Sequence, residues 1–237
     1  MAASRYPRGH VALERALSKL GLASRREAQQ LIRDGIVTVN GRVTGDPLAP
    51  VRPERDAIVV AGRAAHTPVW RTLALHKPRG YITTRRDPQG RPTVFELLGH
   101  DGDGLVAVGR LDLATTGLLL LTTDTQLAER LTNPGNAVVR RYVVTVRNEI
   151  SDEDCRRLEQ GIGGLHAASV EVRKRSRRET HLIVELTEGK NREIRRLFAG
   201  VGHEVTRLLR VAYGPIDLGT LQPGRWREIS AAEFSRL

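Results

Sequence analysis

Two short apolar runs, residues 105–108 and 118–121, flank the segment Gly109-Arg110-Leu111-Asp112 and the break Thr115-Thr116-Gly117. Apolar runs this short, bounded by Gly and Thr, read as buried strands. Asp112 then stands at the bend between two core segments. A carboxylate in that position is costly unless a cation or a set of hydrogen-bond donors keeps it ionised. Two readings fit the spacing: a carboxylate that caps its own turn, or a chemical group presented by a rigid bend.

The rest of the chain narrows the classes open to it. Its 237 residues suffice for a sizeable core and two domains. Net charge is +11, and 34 of the 38 basic residues are arginine, which suits a polyanionic partner gripped through bidentate forks. The basic excess is spread over both halves. Cys155 is the single cysteine, so neither a disulfide framework nor a cysteine metal site is expected. The seven histidines, His76, His100 and His181 among them, lack ligand spacing, and no Walker loop, nucleophile elbow or dinucleotide fingerprint is present. No metal and no cofactor are expected. No apolar run has the length of a membrane span and no signal-peptide pattern opens the chain; a soluble, cytoplasmic protein is expected, its first eight residues a frayed leader.

Residues 11–20 place Leu13, Ala16, Leu17 and Leu20 at helical spacing, ended by Gly21. Ser24-Arg25-Arg26-Glu27 is a capping box for a second helix running through Arg33. Val37 and Val39 alternate as a strand, Asn40-Gly41 is a strong hairpin signal, and residues 57–60 make another strand. Cations in the first turn of a helix oppose its dipole, at roughly 0.3–1 kcal/mol each. Arg25 and Arg26 become sensible there if a phosphate docks; two solvated arginines are the alternative. The order helix, S-R-R-E-A helix, strand, V-N-G-R-V hairpin resembles the S4 RNA-binding domain over residues 12–62. The resemblance implies that Arg15, Lys19, Arg25, Arg26, Arg33 and Arg42 lie near the backbone of a structured RNA. Residues 62–71, with Pro68, read as a linker.

Strand-like segments resume at Leu73. Lys77-Pro78-Arg79-Gly80 follows one of them, and Asp87, Gly90, Arg91, Thr93 and Val94 punctuate a turn-rich loop. Residues 124–131 read as a helix, 137–146 as a strand carrying Tyr142, and Ser151 with Asp154 as the cap of a further helix. Strands near 168–174 and 180–187 lead through Glu188-Gly189-Lys190-Asn191 into a helix. Its buried stripe is Ile194, Leu197 and Phe198, while Arg192, Arg195 and Arg196 project from other faces.

Taken together, G-R-L-D-x-x-T-x-G-L-L-L-L-T-T-D over 109–124, the K-P-x-G turn, the D-x-x-G-R-x-T-V loop and G-K-N-R-E-I-R-R at 189–196 resemble the pseudouridine synthases that modify ribosomal RNA. The likeness runs from about residue 12 to the C-terminus. Two positions depart from the pattern: Asn133-Pro134 stands where His-Pro is common, and Arg141 precedes the tyrosine in place of lysine or glutamate.

The resemblance implies an α+β protein in two parts: an S4-type module over 9–69, including the linker from about 62, and a catalytic domain with a mostly antiparallel mixed sheet over 70–237. It implies isomerisation of a specific uridine, flipped out of its stack, in ribosomal RNA. The wording of 186–197 and the Trp226 region points to the large-subunit RNA, with the small-subunit RNA as alternative. A silent ribosome-assembly factor that keeps the S4 module is the reading of another class. Asp112 would be the nucleophile, Tyr142 would stack on the uracil or assist loss of its C5 proton, and Arg195 would pair with and orient Asp112. Lys77, Arg79, Arg91, Arg110, Lys190, Arg192 and Arg196 would face the RNA. The protein is expected to work as a monomer on ribosomal RNA or an assembly particle.

Overall fold

A computed structural model describes residues 6–7, 9–20, 22–53, 55–64 and 70–234. Most of the expected leader, the middle of the expected linker (65–69) and the side chain of Lys19 lie outside the described residues. The chain falls into two compact units, residues 1–70 with 123–125 and residues 71–122 with 126–237.

The first unit contains β1 (Val11–Ala12), α1 (Leu13–Lys19), α2 (Arg25–Arg33), β2 (Val37–Val39), β3 (Arg42–Val43), β4 (Pro50–Val51), β5 (Ile58–Val60) and β6 (Arg63–Ala64). Residues 11–12, expected as helix, pair instead with β4. Ser24 caps α2 as a full capping box: its Oγ accepts from the Glu27 amide and its own amide donates to the Glu27 carboxylate. Asn40 and Gly41, with φ of 51° and 79°, turn β2 into β3 as a two-residue hairpin of the type that requires positive φ at both positions. Leu13, Leu17, Ile32, Val37 and Ile58 form this unit's core.

The second unit contains β7 (Thr72–Lys77), α3 (Val94–Leu98), β8 (Val106–Val108), β9 (Thr116–Thr122), α4 (Thr125–Thr132), β10 (Arg140–Arg147), α5 (Asp152–Gln160), β11 (Ser169–Arg175), β12 (Glu179–Leu186), α6 (Glu193–Gly200), β13 (Val205–Tyr213), β14 (Ile216–Asp217) and β15 (Trp226–Glu228). The protein is α+β. Its large sheet runs β11-β12-β10-β13-β9-β7-β15, with β14 on β13 and β8 on β9. Every pairing is antiparallel except that of β13 with β9.

The run 118–121 explains the centre of this sheet. Leu118 and Leu120 face one core with Leu131 and Tyr213, while Leu119 and Leu121 face another with Leu73 and Leu105. A strand covered on both sides loses alternation and reads as continuous apolar sequence. The parallel contact of β9 with β13 is set by Gly117, opposite Arg210. A Cβ at Gly117 would lie 2.2 Å from the Arg210 carbonyl oxygen. Only glycine lets the two backbones meet there.

Candidate active site

Asp112 lies on the loop from β8 to β9, and that loop is pinned from several sides. The Thr115 amide donates to the Asp112 carbonyl (3.0 Å) and the Gly80 amide to the Leu113 carbonyl (2.9 Å). Thr83 Oγ1 accepts from the Leu111 amide (3.2 Å) and donates to the Leu111 carbonyl (3.1 Å). Lys77 Nζ donates to the carbonyls of Thr115 (2.8 Å) and Pro78 (3.0 Å). The K-P-x-G turn thus serves as the clamp of the Asp112 loop.

That geometry corrects one expectation. Lys77 has no exposed surface, so its ammonium cannot meet an RNA phosphate. Burial pulls its pKa down from 10.5 to about 8; Asp112 opposes the shift and Arg210 adds to it. Lys77 therefore feels both Asp112 and Arg210 beneath the site.

Asp112, Tyr142, Leu208, Arg210, Arg192 and Arg110 help to line a cavity of about 310 Å3. The Asp112 side chain keeps 31% of its exposure, and Arg192 Nη1 lies 3.9 Å from its Oδ2. Tyr142 is buried on β10, paired in register with Arg210 on β13 and Val184 on β12. Its phenol lines the cavity and makes no hydrogen bond among the described residues.

The expected pairing of Arg195 with Asp112 also requires correction. Arg195 Nη1 donates to the Val205 carbonyl, 2.8 Å away, and among the described residues the cation within 4 Å of Asp112 is Arg192. The cause lies at the start of α6. Arg192 occupies the N-cap in the left-handed region, φ 49° and ψ 35°, a conformation uncommon for a side-chain-bearing residue. Arg195, one turn on, is drawn toward β13. Burial and then the Arg192 guanidinium lower the pKa of Arg195, while Asp112 works in the opposite direction. Arg195 is thus within the field of Asp112 without touching it.

The remaining basic residues divide by exposure. Arg79, Arg110, Lys190, Arg192 and Arg196 are exposed, although Lys190 Nζ is engaged with Glu188 (2.5 Å) and the Gly164 carbonyl (2.9 Å). Arg91 places Nε and Nη2 on Asp87 at 2.9 and 2.7 Å, so its fork closes its own loop. In the first unit Arg15, Arg25, Arg26, Arg33 and Arg42 are exposed.

Three charged cavity residues, Arg140, Glu193 and Arg210, escaped the reading of the sequence. Glu193 is buried, accepts from the Lys190 amide (3.0 Å) and has its pKa raised by burial. Arg210 is buried in β13; its signal is a lone cation in the otherwise apolar run 208–213. Among the described residues no three or more His, Cys, Asp or Glu could hold a metal ion, and no helix is long and apolar enough to cross a membrane.

A pinned acidic bend amid cations on a mixed sheet, in a chain that also carries a small arginine-rich module, has the make-up of an RNA-modifying enzyme. Residues 71–200 match the family model described as RNA pseudouridylate synthase, and residues 13–56 match the S4 domain. The chain belongs to the RNA pseudouridylate synthase family. It is 36% identical over 232 residues to an "Uncharacterized RNA pseudouridine synthase" of Aquifex aeolicus, covering 96% of this chain and 93% of the relative. It is 40% identical over 228 residues to the "Ribosomal large subunit pseudouridine synthase B" of Yersinia pestis, covering 92% and 72%. The protein of the same name in Escherichia coli K12 is 39% identical over 236 residues, covering 95% and 81%. A crystal structure titled as a pseudouridylate synthase shares the fold, with a TM-score of 0.66 at 24% identity over 95% of this chain and 99% of that one.

Proposed function

We propose that this protein isomerises a specific uridine of large-subunit ribosomal RNA to pseudouridine, with Asp112 as nucleophile. The observation that carries the reading is the rigid presentation of Asp112. Its loop is fixed by Lys77, Gly80 and Thr83, while the carboxylate itself opens on the cavity beside Tyr142. The backbone is fixed and the side chain is left available, which is what an attacking group requires. The names of the relatives from Yersinia pestis and Escherichia coli supply the choice of ribosomal subunit.

The target nucleotide is flipped into the cavity. Asp112 attacks or stabilises C1′ as the C1′–N1 bond breaks, and the bonding pair leaves with the uracil. The uracil turns, C5 bonds to C1′ and releases the carboxylate, then the C5 proton is lost and N1 is protonated. Tyr142 supports the base through its ring and receives or relays the C5 proton. Arg192 holds Asp112 from the cavity mouth. Residues 9–69 act as the RNA anchor and 70–237 as the catalytic domain. The exposed arginines of α1, α2 and β3 hold the phosphate backbone, a contact that positions without reading sequence. We place the working enzyme in the cytoplasm, as a monomer, where its RNA substrate is found.

Asp112→Asn tests the reading, because it removes the charge at almost constant shape. Tritium release from large-subunit RNA labelled at C5 of uridine should fall to background, with RNA affinity retained. Turnover in the variant comparable to the parent removes Asp112 from its role. If the parent itself releases no tritium, the silent assembly-factor reading takes over. Sequencing of the modified RNA identifies the uridine and distinguishes the large from the small subunit.

A further inference from the structure

Two arginines are buried side by side in the cavity wall, and only one of them is satisfied. Arg140 on β10, 5% exposed, spends both terminal nitrogens of its guanidinium on structure. Nη1 donates to the carbonyls of Val138, Thr187 and Glu188, and Nη2 to the Leu131 carbonyl and the Tyr213 hydroxyl, all within 3.1 Å. That is the expected form of a structural buried arginine. Arg210 on the neighbouring strand β13 is 2% exposed. Its Nε donates to the Leu118 carbonyl at 2.7 Å and its guanidinium lies 5.0 Å from the centre of the Tyr213 ring. Nη2 is sealed from solvent with no partner. Nη1 makes no hydrogen bond, and no carboxylate lies within 4 Å of the group among the described residues. A desolvated cation left this far from saturation is expensive, yet the backbone is specialised to keep it there: Gly117 lies against the Arg210 main chain.

We propose that Arg210 is a catalytic residue whose guanidinium receives a carbonyl oxygen of the flipped uracil and stabilises the negative charge that appears there when the C1′–N1 bond breaks. This inference rests on the pseudouridine synthase reading and adds a partner for the leaving base. Position selects that partner. Exposed Arg110 and Arg192 stand at the mouth, where hydrated phosphates arrive, whereas Arg210 sits in the wall beside Tyr142 and Leu208, where a planar base fits. The pair of electrons from C1′–N1 goes to the uracil and spreads over its carbonyl oxygens. A preorganised cation in a dry site holds that charge without solvent reorganisation. When C5 attacks C1′ the charge is withdrawn, the Asp112 carboxylate departs, and Arg210 ends in its starting state.

The test uses the full chain with three variants and two RNAs. Arg210→Gln keeps an amide donor at the Nε position for the Leu118 carbonyl and deletes the two terminal nitrogens. It should melt near the parent, bind large-subunit RNA with parental affinity, and lose roughly 100-fold or more in single-turnover rate. An RNA carrying 5-fluorouridine releases a better-stabilised anion, so glycosidic cleavage in that RNA, followed by chromatography of the digested nucleosides, should lose several-fold less. Arg210→Lys should fall between the two on both RNAs, and keeps the question open to decision if the Gln variant unfolds. Arg210→Met reports the cost of losing the Leu118 bond as well. A parental rate in the Gln variant, or equal losses on uridine and 5-fluorouridine RNA, overturns the proposal and leaves Arg210 a packing residue. An inactive parent would instead refute the family reaction, so the two failures are told apart.

Discussion

Lys77 offers a thermodynamic test of the cationic floor beneath Asp112. Its ammonium is fully buried and its pKa lies near 8, against 10.5 for an ordinary lysine. A displacement of that size corresponds to about 3 kcal/mol of differential interaction between the two protonation states. Below pH 8 both folded and unfolded chains hold the proton, and the folded state carries the full cost of the buried charge. Between pH 8 and 10.5 the folded chain has released a proton that the unfolded chain retains. Stability must therefore rise with pH through that window, by up to about 1.4 kcal/mol per pH unit, and level off above it. Lys77→Met removes the group. The difference in unfolding free energy between parent and variant, measured by urea titration from pH 7 to 10.5, should climb by about 3 kcal/mol while other ionisations cancel. Asp112 supports the Lys77 charge, so in an Asp112→Asn background the rise should begin at lower pH. The chain has four lysines, so carbon NMR of the lysine Cε signals can follow Lys77 directly, with its resonance assigned by its loss in the variant. A parent-minus-variant difference that stays flat from pH 7 to 10.5 would refute the burial argument. It would also remove the clamp from beneath Asp112.

Two further substitutions probe backbone and anchor. Gly117→Ala forces a Cβ to 2.2 Å from the Arg210 carbonyl at φ +108° and should cost more than about 3 kcal/mol in chemical denaturation. Gly224→Ala, also at positive φ but with nothing within 4 Å, should cost only about 1 kcal/mol; equal losses would show that β13 and β9 tolerate separation. Changing Arg25 and Arg26 together to Ala should weaken binding to ribosomal RNA and reduce the salt slope by one to two units, with little change in rate at saturating RNA. An unaltered slope would mark them as ordinary solvated arginines.

What could be read in the sequence was local. The Ser24 and Ser151 caps, the Asn40-Gly41 turn and the leucines of β9 carry their conformation within a few neighbouring residues, and the structure forms each of them. The buried stripe of α6, Ile194, Leu197 and Phe198, follows from helical spacing in the same way. What stayed hidden depended on pairing over long separations. Nothing near Arg210 in the chain announces that β13 will lie parallel to β9 and aim Nε at the carbonyl of Leu118, ninety-two positions earlier. Lys77 looked like a surface cation in a basic turn because the two carbonyls that bury it include that of Thr115, thirty-eight residues away.

The exchange of Arg195 for Arg192 beside Asp112 has a different origin. A helical wheel assigns faces relative to one another, but the face presented to a neighbour is set by where and how the helix begins. Here α6 begins from a left-handed Arg192, supported by the Glu193 carboxylate closing back on the Lys190 amide. That entry turns the first guanidinium toward Asp112 and leaves the one a turn later to the Val205 carbonyl. The Arg192–Asp112 contact is long and solvent-facing at both ends, worth at most about 1 kcal/mol. A pair this weak can open without a large barrier. Arg195 is already half-buried, its Nε–H sealed and unpartnered, and it lies within the electrostatic reach of the same carboxylate. The site therefore holds its buried and half-buried basic groups, Lys77, Arg195 and Arg210, back from the Asp112 carboxylate, and among the described residues puts an exposed arginine against it. The Asp112 carboxylate keeps part of its surface open to the cavity, as the proposed attack on C1′ requires.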